Sequence, residues 1–259
     1  VRIRNTFLII FLVLVVAIAA LRLYLYDRYV VPIIMYHHVE ATGDTRSNYV
    51  SPQVFRRQME FLKKNRYRVI SLDEFVRGVE EGRRFPHNTV VITFDDGYAD
   101  NFSAAFPVLA EYDFPATIFV IVNKIGEEGY LTWDQVMVMD NSVITIGSHT
   151  LDHSYLPDLE SAEKFRQITE SKKILERRLN HAVNYFSYPI GGFDEECKQI
   201  LRQAGYRASC ATNRGADRFN KDVFELNRVR LNEKDQSAVV LWMKLSGYYN
   251  LFRALKASH

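Results

Sequence analysis

Apolar residues follow two rhythms along this chain. Short unbroken runs rich in β-branched and aromatic side chains stand at residues 30–36, 67–70, 89–94, 116–122, 143–147, 185–189, 206–211 and 229–231. Such runs predict strands, the longer ones buried on both faces. Between them the apolar positions recur every three or four residues and carry helix-start signals. Ser51-Pro52 offers a cap residue and a proline at the first helical position, with Phe55, Met59, Phe61 and Leu62 on one face. Ser71 caps a second helix that runs through Glu81 and ends at Gly82. Further helices are predicted from Ala99 to Tyr112, from Thr132, from Leu159 to Leu179 with solvated charges on its outer face, and from Asp194 to Ala204. Strands alternating with helices at this spacing predict an α/β fold with a parallel sheet and right-handed crossovers. The tail from Ser237 to Ala254, rich in Leu, Trp, Tyr and Phe, is expected to pack on that sheet as a helix, with a membrane-surface position as the alternative.

The amino end follows neither rhythm. Residues Phe7 to Leu21 are apolar without a break and are preceded by Arg2 and Arg4. A helix of about 20 residues spans the roughly 30 Å of a bilayer core. Residues 1–28 therefore read as one N-terminal transmembrane helix ahead of a single catalytic domain at 29–259. Ala17-Ile18-Ala19 has the form of a cleavage site, so a signal peptide is the rival. Either way the basic start places the domain on the extracytoplasmic side, anchored to the cell membrane or secreted.

Composition narrows the classes. With 259 residues, 47% of them hydrophobic, the chain can bury one sizeable core and has no room for a second full domain. A net charge of +2 and the lack of a basic stripe interleaved with aromatics argue against nucleic acid as a partner. The two cysteines, Cys197 and Cys210, have no neighbour at metal-ligand spacing and read as buried free thiols, although an exported protein could pair them.

Chemistry gathers where predicted strands end. The 89–94 run leads straight into Asp95-Asp96-Gly97. Side chains alternate along a strand, so the two carboxylates cannot share a job unless the backbone turns, which Gly97 permits. One can hold a cation while the other faces a substrate, and a solvated turn is the plain alternative. The 143–147 run leads into Ser148-His149-Thr150-Leu151-Asp152-His153. Histidines four apart reach one metal if the segment makes a helical turn. Joined to Asp96 they make a three-ligand site with open positions, as a catalytic Zn²⁺ or similar divalent ion requires. The 30–36 run ends in His37-His38, of which alternation lets one face inward.

Thr93-Phe94-Asp95-Asp96-Gly97 followed by Gly147-Ser148-His149-Thr150-x-x-His153 and by Phe186-Ser187-Tyr188-Pro189-Ile190-Gly191 resembles the polysaccharide deacetylase family, the NodB homology domain of carbohydrate esterase family 4, over roughly residues 31–231. Tyr36-His37 is similar to the rearranged branch that includes poly-N-acetylglucosamine deacetylases. The resemblance implies a distorted (β/α) barrel with fewer than eight full units. It implies Asp95 as general base, and Asp96, His149 and His153 as ligands of a divalent ion, with Zn²⁺ first and Co²⁺, Ni²⁺ or Fe²⁺ as alternatives. It also implies the Ile190 backbone N–H as an oxyanion donor and His37 as the acid that protonates the leaving amine, with His38 as the alternative. Ser187 stands where many members carry an arginine that orients the base, and Arg228, in Leu226-Asn227-Arg228-Val229, is the expected substitute. The implied activity is hydrolysis of N-acetyl groups on the amino sugars of an extracytoplasmic polysaccharide or peptidoglycan. A carbohydrate O-acetyl esterase and a silent, membrane-tethered sugar-binding protein are the rivals; the early histidine favours an amide, and the presence of Asp95 disfavours silence.

Overall fold

The structure is a computed structural model that describes residues 10–20, 22, 28–41, 48–212 and 217–249. Its frame is a curved parallel sheet. In chain order the strands are β1 (Ile33–Tyr36), β4 (Arg68–Ile70), β5 (Thr89–Phe94), β6 (Ala116–Val120), β7 (Ile144–Ser148), β8 (Tyr185–Ser187), β9 (Ala208–Cys210) and β10 (Val229–Arg230), while β2 (His38–Val39) and β3 (Tyr49–Val50) form a small parallel pair apart. The spatial order is β10-β1-β5-β6-β7-β8-β9, and β4 pairs with the first half of β5. The ring is drawn together between β9 and β1. The segment before β10 bonds to the β9 side through Leu226 N–H to Ser209 O, Ala211 N–H to Leu226 O and Arg228 N–H to Thr212 O, while β10 itself pairs with β1. A distorted (β/α) barrel results.

Helices α1 (Pro52–Lys64), α2 (Leu72–Glu80), α3 (Phe106–Tyr112), α4 (Trp133–Asp140), α5 (Ser161–Leu179), α6 (Glu195–Gln203) and α7 (Ala238–Leu245) surround the sheet. Their starts follow the sequence signals. Ser51 and Ser71 accept from Val54 N–H and Glu74 N–H, and Thr132 forms a reciprocal cap with Gln135, each cap contributing about 1 kcal/mol. The predicted helix at 99–112 is interrupted. Residues Asn101–Ala105 form a π turn, and the α-helix begins only at Phe106. Pro107 has no N–H to continue an α ladder, and the wider turn, closed by Phe106 N–H to Asn101 O, absorbs it.

Alternation along the strands sorts side chains into two layers. Ile33, Val91, Phe119, Tyr185, Cys210 and Leu226 belong to one buried cluster inside the curve. Their neighbours Ile34, Ile92, Ile118, Phe186 and Ala211 belong to the other, against the helices. The inner positions continue upward as Met35, Thr93 and Ser187, and then reach His37 and Asp95. The barrel floor is thus apolar and its carboxyl-end rim polar, as parallel barrels place their chemistry.

Both cysteines are buried free thiols, and burial pushes each up to about 12. Helix α7 packs through Leu241 and Leu245, in line with the expected tail helix; residues 250–254 of that expectation lie outside the described residues. Residues 10–20 are helical and exposed. Among the described residues no helix is long and apolar enough to cross a membrane, and the rest of the predicted 1–28 anchor lies mostly outside them.

Candidate active site

A cavity of about 480 Å³ opens at the carboxyl ends of the strands. His37, Asp95, Asp96, His149, His153 and Arg228, contributed by four separate stretches of chain, line it, and Ile190 adds a fifth. The backbone is unusual where these groups converge. Asp96, Thr150, His153 and Ile190 all have positive φ, at 73°, 68°, 61° and 58°. Left-handed conformations in residues with a Cβ cost about 1–3 kcal/mol each and are kept where the surroundings enforce them.

At Asp96 and Gly97 the chain turns, so both carboxylates enter the cavity instead of pointing to opposite faces; Asp95 is 3% and Asp96 7% exposed. His149 and His153 meet by a different route from the helical turn expected of their spacing. The segment after β7 is a loop with Thr150 and His153 left-handed, because Thr150 Oγ1 accepts from His153 N–H at 2.9 Å and Gln167 Oε1, from α5, accepts from both Leu151 and Asp152 N–H. These side chains satisfy the amides that a helical ladder would have used.

His149 Nε2 and His153 Nε2 each stand 3.4 Å from Asp96 Oδ1. That is long for a hydrogen bond, and Asp96 Oδ1 is buried without a hydrogen-bond partner. Two ligands on a tetrahedral ion, each about 2.0–2.1 Å from it, stand about 3.3 Å apart. His149 Nδ1 donates to Ser187 O at 2.7 Å, which leaves Nε2 with its lone pair toward the cluster. One orphaned carboxylate oxygen and an imidazole whose tautomer is set toward it suit a divalent cation, and the donor set of two nitrogens and one oxygen matches an open catalytic site.

Arg228 forms the other half of the site. Its side chain is wholly buried and grips Asp95 with both ends of the guanidinium, Nη1 to Oδ1 at 2.7 Å and Nη2 to Oδ2 at 2.6 Å. Nε donates to Ala211 O, Nη1 to Thr93 Oγ1 and Nη2 to Ser187 Oγ. Ser187, standing where many family members carry an arginine, therefore helps to hold an arginine that arrives from the residue just before β10. Burial alone would raise the Asp95 carboxyl, but the charge of Arg228, joined by His149 and His37, holds it well below the usual carboxylate range.

Alternation decides between the adjacent histidines. His37 faces the cavity, and Asn101 Nδ2 fixes its carbonyl at 2.8 Å. Burial pushes the imidazole below its ordinary value, against the pull of Asp95 and Asp96. His38 turns away, with Nδ1 2.7 Å from Asp100 Oδ2 and its ring stacked between Tyr49 and Tyr98, so it is not placed to serve as the alternative acid. Ile190 and Gly191 are both left-handed and line the cavity, while the Ile190 side chain stays 54% exposed. Gly191 is confined: a Cβ there would stand 2.7 Å from the Thr212 backbone N at φ 74°. Gly191→Ala is expected to lower stability by about 1–3 kcal/mol, read by thermal melting, and to reduce activity by shifting the Ile190 peptide.

Sequence reasoning did not find Arg230, which also lines the cavity, nor Gln167 and Asn101, which brace it. Arg230 carried a usable signal, since it lies two residues beyond Arg228 on a strand. Gln167 and Asn101 carried none, because a buried amide looks like any surface amide until its partners are known.

Comparison with known proteins agrees with this geometry. The profile of the Polysaccharide deacetylase family matches residues 82–209. YxkH of Bacillus subtilis (strain 168), which carries a polysaccharide deacetylase name, is 33% identical over 201 residues, 78% of this chain and 71% of that protein. A poly-beta-1,6-N-acetyl-D-glucosamine N-deacetylase of Staphylococcus aureus (strain N315) is 24% identical over 198 residues, 71% of this chain and 68% of that protein. The structure of the Streptococcus pyogenes deacetylase PplD in complex with acetate superposes with a TM-score of 0.76 at 28% identity, covering 83% of this chain and 97% of that one. On that similarity the chain belongs to the polysaccharide deacetylase family.

Proposed function

We propose that this protein is a metal-dependent N-deacetylase that hydrolyses acetamido groups on the amino sugars of a polysaccharide outside the cell membrane. One observation carries this above all: Asp95, held ionised by Arg228, stands beside an Asp96–His149–His153 cluster whose central oxygen has no partner. A divalent ion held by those three residues would acidify a water molecule and polarise the acetyl carbonyl. Asp95 takes the proton of the attacking water. A carboxylate held so far down is always ionised yet is a weak base, which is why it works beside the ligand cluster and not alone. The Ile190 N–H donates to the carbonyl oxygen as charge develops there. His37, at the end of the neighbouring strand β1, delivers a proton to the departing amine; the burial that lowers it also makes its protonated form a stronger acid.

The relatives' names support an amide substrate, since one of them acts on an N-acetylglucosamine polymer. The apolar run at residues 7–21 behind Arg2 and Arg4 supports export. The test is acetate release from N-acetylglucosamine oligomers and from peptidoglycan, by the protein stripped with chelator and then reloaded with Zn²⁺ or Co²⁺. Activity is expected to vanish on stripping and to return on reloading. Release that persists without metal, or release only from O-acetylated xylan, would sink this proposal.

A further inference from the structure

Helix α7 wears an apolar face on its outside. Leu241 and Leu245 are buried against the barrel, while Val239, Trp242 and Met243 remain 67%, 61% and 46% exposed. Residues three and four apart share one side of a helix, so these three form a single stripe. The one charged residue of the helix, Lys244, is engaged within the fold: its Nζ donates to Arg230 O at 2.9 Å and to Asp235 Oδ2 at 2.8 Å. The outer stripe therefore carries no charge of its own. A helix lying against water shows the opposite arrangement, with its cation outside and its large apolar residues within.

The surroundings of the stripe indicate what covers it. Val30 N–H donates to Gly247 O at 3.0 Å and the Tyr29 and Tyr248 rings stand 6.1 Å apart, so the chain enters the barrel beside the end of α7. The stretch ahead of that entry is helical and apolar, with the large side chains from Ile10 to Ile18 between 45% and 68% exposed. The link from Ala20 to Tyr29 reaches at most about 30 Å, so an apolar medium that receives this stretch lies near α7 as well. Charge points the same way. A groove of about 450 Å³ between α1 and α7, lined by Ala238 and Leu241, also carries Arg57, Lys63 and Lys64 against a single acid, Glu60. Exposed lysines beside an apolar stripe with a tryptophan match the boundary of a bilayer that contains anionic lipid.

We propose that the outer stripe of α7 docks on the lipid surface, with Trp242 at the interfacial level and Lys63 and Lys64 against anionic headgroups. The catalytic cavity opens at the carboxyl end of β1, roughly 20 Å along the strand from Val30, and so stays clear of the lipid contact. The inference extends the membrane location proposed above and does not depend on the deacetylase chemistry.

The test reconstitutes the full chain in vesicles of phosphatidylglycerol and phosphatidylcholine, with and without phosphatidylcholine brominated high on its acyl chains, and follows tryptophan emission. The chain has two tryptophans, Trp133 and Trp242, and neither lies in the apolar N-terminal stretch. Bromine quenches only a ring it can touch, so insertion of the N-terminal stretch alone leaves the emission unchanged. Emission of the unmodified protein is expected to move to shorter wavelength on reconstitution and to be quenched by the brominated lipid. In Trp242→Phe, an exposed substitution that leaves Trp133 as the emitter, the quenching should disappear. Lys63→Gln with Lys64→Gln should lower the ratio of docked to undocked protein by about 25-fold, about fivefold for each lysine near an anionic leaflet. Protein that floats with the vesicles but is not quenched overturns the proposal, and so does quenching that survives Trp242→Phe; both results leave the membrane location standing. A second copy or another protein seated on α7 would keep Trp242 from the bromine and give the first of those results. Protein that does not float with vesicles removes the location and the docking together. Acetate release by the same samples reads the deacetylase function separately.

Discussion

Asp95→Asn is expected to lower kcat for acetate release by about 10²–10⁴-fold, the usual contribution of a positioned general base. The amide keeps the shape of the carboxylate but can accept from only one end of the Arg228 guanidinium, and it cannot accept the water proton. Ion binding should persist, because Asp96, His149 and His153 supply the cluster. The measurement is a pair: kcat by acetate release, and ion stoichiometry by titration, at a temperature where circular dichroism shows the variant folded. An Asp95→Asn protein that binds its ion and still turns over within tenfold of the parent would remove Asp95 from the chemistry and leave the base unassigned. The temperature condition matters because the substitution strands a buried arginine.

That arginine sets the second expectation. Arg228→Met should destabilise the protein by about 3–5 kcal/mol, since Asp95 would remain buried with its countercharge gone. Both side chains are essentially inaccessible, at 0% and 5% exposure, so solvent screening gives little relief. For a chain of this size the loss corresponds to a fall in Tm of roughly 10 °C or more. The double variant Asp95→Asn with Arg228→Met should cost clearly less than the sum of the singles, because it leaves no unpaired charge. The two proteins should also respond to acid with opposite sign. In the parent, Asp95 is depressed below its unfolded value, so its contribution is present at neutral pH and is lost as pH falls through the folded value. Without Arg228, burial, the largest influence on Asp95, is opposed by the histidines and the more distant Arg230, and the carboxyl rises. A raised carboxyl gains from protonation, so the deficit of Arg228→Met should narrow between about pH 7 and pH 4. Denaturant unfolding at several pH values measures this, and a deficit that stays constant would mean that Arg228 acts by packing and not by charge.

These expectations depend on residues whose importance was unequally visible along the chain. The carboxylates and histidines announced themselves because each follows a strand-like run, and strand ends on one side of a parallel barrel share a rim. His37 over His38 needed one further fact, the inward parity of β1, which Ile33 and Met35 carry but which sequence alone cannot orient. His149 and His153 do come together, as their spacing suggested, but by another route: the loop that joins them is shaped by Gln167 of α5 and by Thr150, not by a helical ladder.

By itself the sequence determined the α/β class, the order of its strands and helices, most helix starts, and the four residues Asp95, Asp96, His149 and His153 that the structure gathers in one cavity. All of these follow from local rules, in which a side chain's neighbours within a few positions decide its periodicity, its cap or its turn. The family resemblance offered Arg228 as the partner of Asp95, but the tertiary structure alone decided its two-ended grip across 133 residues, that Ser187 braces that arginine, and that Arg230 shares the cavity. Those contacts exist because the ring closes between β9 and β1, and closure is a property of the whole sheet: the pairing of Leu226 with Ser209 and Ala211 places β10, and no local preference of residues 226–230 encodes which distant strand they will meet.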